Sequence, residues 1–78
     1  MPRPSGTDPK LAAALRGLRE QTGVSQEDLA HDAELTTAAL SRIERGVTNP
    51  SWTTLRRILT ALKASLAELE AAIERTDS

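Results

Sequence analysis

Residues 25–46 read SQEDLAHDAELTTAALSRIERG. The pattern is that of two short helices joined by a turn. Ser25 followed by Asp28 is a capping-box signal, in which a short side chain takes up orphan backbone donors at a helix start. Leu29, Ala30 and Ala33 then form a narrow apolar stripe at helical spacing. Glu34 and Leu35 carry the turn, with Leu35 as an apolar plug between the helices. Thr36 is placed as a second N-cap. Leu40 and Ile43 follow as an i, i+3 apolar pair. Gly46 stands where a helix end often needs a left-handed backbone.

The flanking segments supply what this unit packs against. Upstream, Asp8 is the expected N-cap of a first helix, with Pro9 at its first position, where the missing proline donor does no harm. Leu11, Leu15 and Leu18 make its apolar stripe, and Gly23 ends it. Residues 1–7, MPRPSGT, hold two prolines and a glycine without apolar periodicity, and read as a flexible arm. Arg3 in such an arm is open to a minor-groove contact, or to no function at all. Downstream, residues 47–50 are a loop and Ser51 caps a fourth helix with Leu55, Ile58, Leu59 and Leu62 as its stripe. Leu66, Leu69 and Ile73 continue that stripe. A break before them is expected, because Ser65 and Glu68 repeat the capping-box spacing. The domain then spans residues 8–76, with the two-helix unit at about 25–46.

Composition sets the limits. A 78-residue chain is one domain and buries about 60–65% of its unfolded surface. Its core must be aliphatic, since Phe and Tyr are absent and Trp occurs once. Abundant Ala, Leu, Glu and Arg favour an all-α fold. Without cysteine there is no disulfide or thiolate chemistry. No apolar run approaches the roughly 20 residues of a membrane span, and no signal peptide is visible. A cytoplasmic protein without membrane contact is expected. His31 is the only histidine and has no metal-site company. No nucleophile-plus-base set or phosphate loop is present, so an enzyme, a metal, a cofactor and a small-molecule ligand are not expected.

The net charge of −1 is unevenly placed: +3 over residues 1–19, −5 over 20–34, +3 over 35–62 and −2 over 63–78. Local sign outweighs the total, because charge is screened beyond about 8–10 Å. The alternative is ordinary solvated alternation.

Taken together, Ser25-Gln26-Glu27-Asp28-Leu29-Ala30, Leu40-Ser41-Arg42-Ile43-Glu44-Arg45-Gly46, Asn49-Pro50-Ser51 and Thr54-Leu55-Arg56-Arg57-Ile58 resemble the phage-repressor-like, or XRE, helix-turn-helix family over residues 10–70. The resemblance implies a compact five-helix DNA-binding domain of the lambda-repressor type. It implies a transcriptional regulator, repressor or activator, that binds a pseudo-palindromic operator as a homodimer. The brevity suggests a controller of the kind found in restriction–modification operons, or a small phage-type repressor. The alternative from another class is a helical protein-interaction module, such as an antitoxin, whose acidic segments bind a basic partner. Most family members carry Gly where Glu34 stands, because the turn wants a positive φ. Glu34 there costs on the order of 1 kcal/mol, unless the turn takes another conformation.

A DNA-reading helix must keep its groove side polar or small. At 100° per residue, Thr37, Ala38, Ser41 and Arg42 lie away from the side of Leu40 and Ile43. The same four positions carry over from the family's base-reading helix. The planar fork of Arg42 can span guanine O6 and N7. Thr37 and Ala38 offer methyl groups to thymine, or are plain helix surface. Ser41 is open to a base or a phosphate. The family's matching glutamine implies a phosphate contact for Gln26. Thr36 either bonds a phosphate or only caps its helix. Thr48 and Asn49 occupy a loop that in relatives approaches the DNA backbone. Arg45, Arg56 and Arg57 either add phosphate contacts or are solvated. Resemblance also implies an internal ion pair between Arg19 and Glu44. For dimerisation, the exposed-anchor reading of Trp52 competes with a lid over the core. The stripe Leu66, Leu69 and Ile73 either extends the dimer interface or packs on its own first helix.

Overall fold

The computed structural model describes residues 6–76. They form five helices: α1 (Pro9–Thr22), α2 (Gln26–Asp32), α3 (Thr37–Glu44), α4 (Trp52–Leu62) and α5 (Leu66–Thr76). The expectation for Arg3 and the first five residues of the arm lies outside the described residues.

The helix starts are set by short polar side chains. Asp8 accepts from the backbone N–H groups of Lys10 and Leu11. Ser25, Thr36 and Ser51 accept from the N–H groups of Asp28, Ala39 and Thr54. Each bond satisfies one of the orphan donors at a helix start. The α5 start is a reciprocal capping box: Ser65 Oγ accepts from Glu68 N–H at 3.0 Å and Glu68 Oε1 from Ser65 N–H at 2.9 Å. The break between α4 and α5 follows, because Lys63 turns the backbone to φ 57°.

The turn between α2 and α3 takes the conformation its missing glycine would favour. Glu34 sits at φ 61°, and Leu35 N–H donates back to Ala30 carbonyl at 2.8 Å. That bond closes α2 and aims α3 across it. Gly46 ends the last turn after α3 at φ 77°, and Val47 N–H donates to Arg42 carbonyl. A Cβ at Gly46 would meet only ordinary contacts at 3.7 Å, so the backbone angle, not space, requires glycine there.

Leu15, Leu29, Leu40 and Ile58, one from each of the first four helices, are almost completely buried. They are the centre of the core, and α2 packs against α3 and α4. The α5 helix lies on α1 through Leu69 and Ala72, both 5% exposed. The result holds α3 by its inner side and leaves its outer side free.

Candidate nucleic-acid interface

The inner side of α3 is made by Leu40, Ile43 and Glu44, none more than 6% exposed. Its outer side carries Thr37, Ala38 and Arg42, all exposed, with Ser41 half-buried beside them. These four positions fan over about 140° of the helix circumference at 100° per residue. Arg42 is exposed and its guanidinium forms no ion pair or hydrogen bond among the described residues, which leaves its donors available to an outside acceptor. Arg45 is exposed at the end of the same helix.

An acid on such a helix would oppose an anionic partner, but Glu44 points inward. Its side chain is 2% exposed. Arg19 Nε donates to Glu44 Oε2 at 2.7 Å, and Arg19 Nη2 donates to Oε1 at 3.1 Å. The remaining Arg19 nitrogen donates to the Val24 carbonyl at 2.9 Å. The hydrogen bond to Glu44 holds the Arg19 guanidinium above its ordinary pKa, against the opposing effect of burial. The pair therefore neutralises the acid within the fold and ties α1 to α3.

Gln26, the first residue of α2, is half-buried. Its Nε2 donates to Glu44 Oε1 at 2.9 Å, so the amide of the glutamine assigned to a phosphate is already engaged on its inner side. Thr36 Oγ1 accepts from Ala39 N–H at 3.0 Å, which leaves its hydroxyl proton for an outside acceptor. Thr48 is exposed in the loop after α3.

Asn49 has a role that its loop position did not suggest. Its Oδ1 accepts from Asp8 N–H at 2.9 Å and its Nδ2 donates to Gly6 carbonyl at 2.8 Å. The side chain clasps the segment that leads into α1, so the expected phosphate contact is reduced to one remaining amide proton. The partners lie 41 and 43 residues away, a distance across which no local pattern signals a pairing. The same applies to the Gln26–Glu44 contact.

The expected dimer stripe divides in two. Trp52 is 59% exposed and Leu66 53% exposed, and both line a cleft of about 160 Å³ with Arg56, Leu59, Thr60 and Ala64. Trp52 is not a lid over the core. Leu69, by contrast, is buried in the chain's own core and Ile73 packs against that core. Of the two readings of these residues, the contacts within the chain show packing on its own core beside α1. The α5 stripe faces α1, whose own apolar stripe covers it.

A larger open hollow of about 370 Å³ lies between the end of α2 and α4, with Asp32, Glu34, Arg56 and Arg57 as its charged lining. Arg57 Nε stands 3.8 Å from Glu34 Oε1, both largely exposed. Among the described residues no cluster of His, Cys, Asp and Glu is placed to hold a metal ion, and no helix is long and apolar enough to cross a membrane.

Comparison with known proteins adds three findings. A family model described as a helix-turn-helix domain matches residues 10–72. The HTH-type transcriptional regulator DdrOP3 of Deinococcus deserti is 35% identical over 65 residues, which cover 83% of this chain and 50% of that protein. The chain thus spans about half the length of this curated relative. Among solved structures, the clp gene regulator ClgR of Corynebacterium glutamicum is similar with a TM-score of 0.83 and 31% identity, over 90% of this chain and 91% of that one. The restriction-modification controller protein C.AhdI of Aeromonas hydrophila is similar with a TM-score of 0.75 and 36% identity, over 78% and 92%.

Proposed function

The chain belongs to the helix-turn-helix domain family, and from that premise we propose that it is a sequence-specific DNA-binding transcriptional regulator. One observation carries the reading. The outer side of α3 is small, polar and led by an arginine that is unpaired among the described residues, while the one acid on that helix is folded inward onto Arg19. Such a helix fits the major groove, which is about 12 Å wide. Arg42 is assigned to a guanine edge, and Thr37, Ala38 and Ser41 to neighbouring base edges. Thr36, Gln26, Arg45 and Thr48 are assigned to phosphates that fix the register.

A single reading helix covers too few base pairs for useful selectivity, so two copies on half-sites about one DNA turn apart are proposed. The proposed contact between copies is the Trp52–Leu66 cleft, where a large aromatic and an apolar neighbour are left uncovered. Selection of duplexes from a randomised pool at physiological salt tests the reading. A shared motif enriched by the wild type and lost by Arg42→Ala is expected. Equal, weak retention by both proteins would instead favour the protein-interaction module.

A further inference from the structure

Glu44 accepts three N–H groups from two side chains: two from Arg19 and one from Gln26. A carboxylate is an acceptor only, so the Gln26 amide must face it nitrogen first. That orientation is dictated by the chemistry of the partner. One Nε2 proton is used inward, and the second is left for the outside. Gln26 is half-buried, whereas the Glu44 side chain is 2% exposed. The amide therefore runs from the closed interior to the surface beside α3. The Glu44 charge is balanced by Arg19 and does not oppose an anion approaching the far side of that amide.

We propose that Glu44 is a positioning residue for the DNA backbone: it holds Gln26 so that the remaining Nε2 proton is pre-set for a phosphate oxygen. The inference rests on the DNA-binding reading and assigns Glu44 no contact with DNA. An unheld glutamine would have to freeze three side-chain torsions on binding. In one of its two amide orientations it would also present its carbonyl oxygen, an acceptor to which an ionised phosphate oxygen has no proton to donate. Clamping by Glu44 removes both losses before DNA arrives, which is pre-organisation in the ordinary sense.

The test is a cycle between Gln26→Ala and the apolar double replacement Arg19→Met/Glu44→Leu, read by duplex affinity and by the Gln26 side-chain amide signals in NMR. In the wild-type background Gln26→Ala should weaken binding about three- to tenfold, the usual range for one hydrogen bond. The salt slope should stay unchanged, because a neutral amide displaces no counterion. In the double-replacement background the same substitution should weaken binding less than about twofold. The Gln26 amide protons of the free wild type should be displaced and slowly exchanging, and should move to solvent-like positions when the pair is replaced. Equal penalties in both backgrounds, with wild-type selectivity over Arg42→Ala intact, would overturn the role of Glu44 alone. Absence of any selectivity in the wild type would overturn the DNA reading and this inference together. Should the double replacement not fold, the wild-type spectrum decides: solvent-like Gln26 signals, or signals unmoved by a bound duplex, refute the proposal.

Discussion

Arg19 and Glu44, 25 residues apart, are joined at both prongs, Nε to Oε2 at 2.7 Å and Nη2 to Oε1 at 3.1 Å. Breaking such a pair from one side leaves a buried charge uncompensated. Arg19→Met should destabilise the fold by on the order of 3 kcal/mol, and Glu44→Gln by less. Together they should be less damaging than the sum of the single changes. Chemical denaturation of the four proteins measures this, and strict additivity would contradict a direct pair.

The same pair has a defined pH behaviour. Arg19 has a raised pKa, chiefly from its hydrogen bond to Glu44. A raised pKa means that the folded state holds the proton more tightly than the unfolded one. The resulting stability is fully present below the unfolded arginine value and is lost only as pH climbs through the folded one. The destabilisation by Arg19→Met should therefore be the same at pH 7 and pH 9, within the error of urea titrations.

Glu34 and Lys63 hold left-handed backbone angles, φ 61° and 57°, without being glycine. A side chain in that region costs about 1–2 kcal/mol, and glycine's extra unfolded freedom offsets part of the relief. Glu34→Gly and Lys63→Gly should each stabilise by about 0.5–1 kcal/mol. Loss of the exposed Glu34–Arg57 contact at 3.8 Å subtracts little. A rise in denaturation midpoint with unchanged slope is the expected result, and a fall in midpoint would show that the turn is not strained.

Arg42→Ala should leave the melting temperature nearly unchanged, because its side chain is exposed and unpaired among the described residues, and such a side chain contributes little to folding. It should reduce discrimination at one base pair by about 1–3 kcal/mol. Competition binding with singly substituted duplexes locates that base pair. A uniform loss across all sequences would place Arg42 on a phosphate.

Two leucines of the same helix should behave oppositely. Leu66→Glu, at a position 53% exposed, should leave the fold intact and yield a monomer by sedimentation. Leu69→Ala, at a position 5% exposed, should destabilise by about 2–5 kcal/mol. The single Trp52 reports the first change: its emission should shift to the red when the proposed contact between copies is lost. Monomeric wild-type protein at tens of micromolar would remove the Trp52–Leu66 interface.

By itself the sequence determined the helices, their ends and the outer side of α3. These depend on spacing and on neighbouring atoms: Asp8, Ser25, Thr36, Ser51 and Ser65 cap within three residues of their own backbone, and Leu40 with Ile43 orients α3 by period alone. Residue spacing also left Leu69 undecided between an interface and its own core. Only the tertiary packing settled that, because burial depends on which helix arrives to cover a face, and α1 does. The tertiary structure likewise decided that Asn49 clasps Gly6 and Asp8, and that Glu44 is shared by Arg19 and Gln26. A side-chain hydrogen bond to a group 18 to 43 residues away exists only once the segments bearing the two partners have been brought together, and no local pattern encodes that meeting.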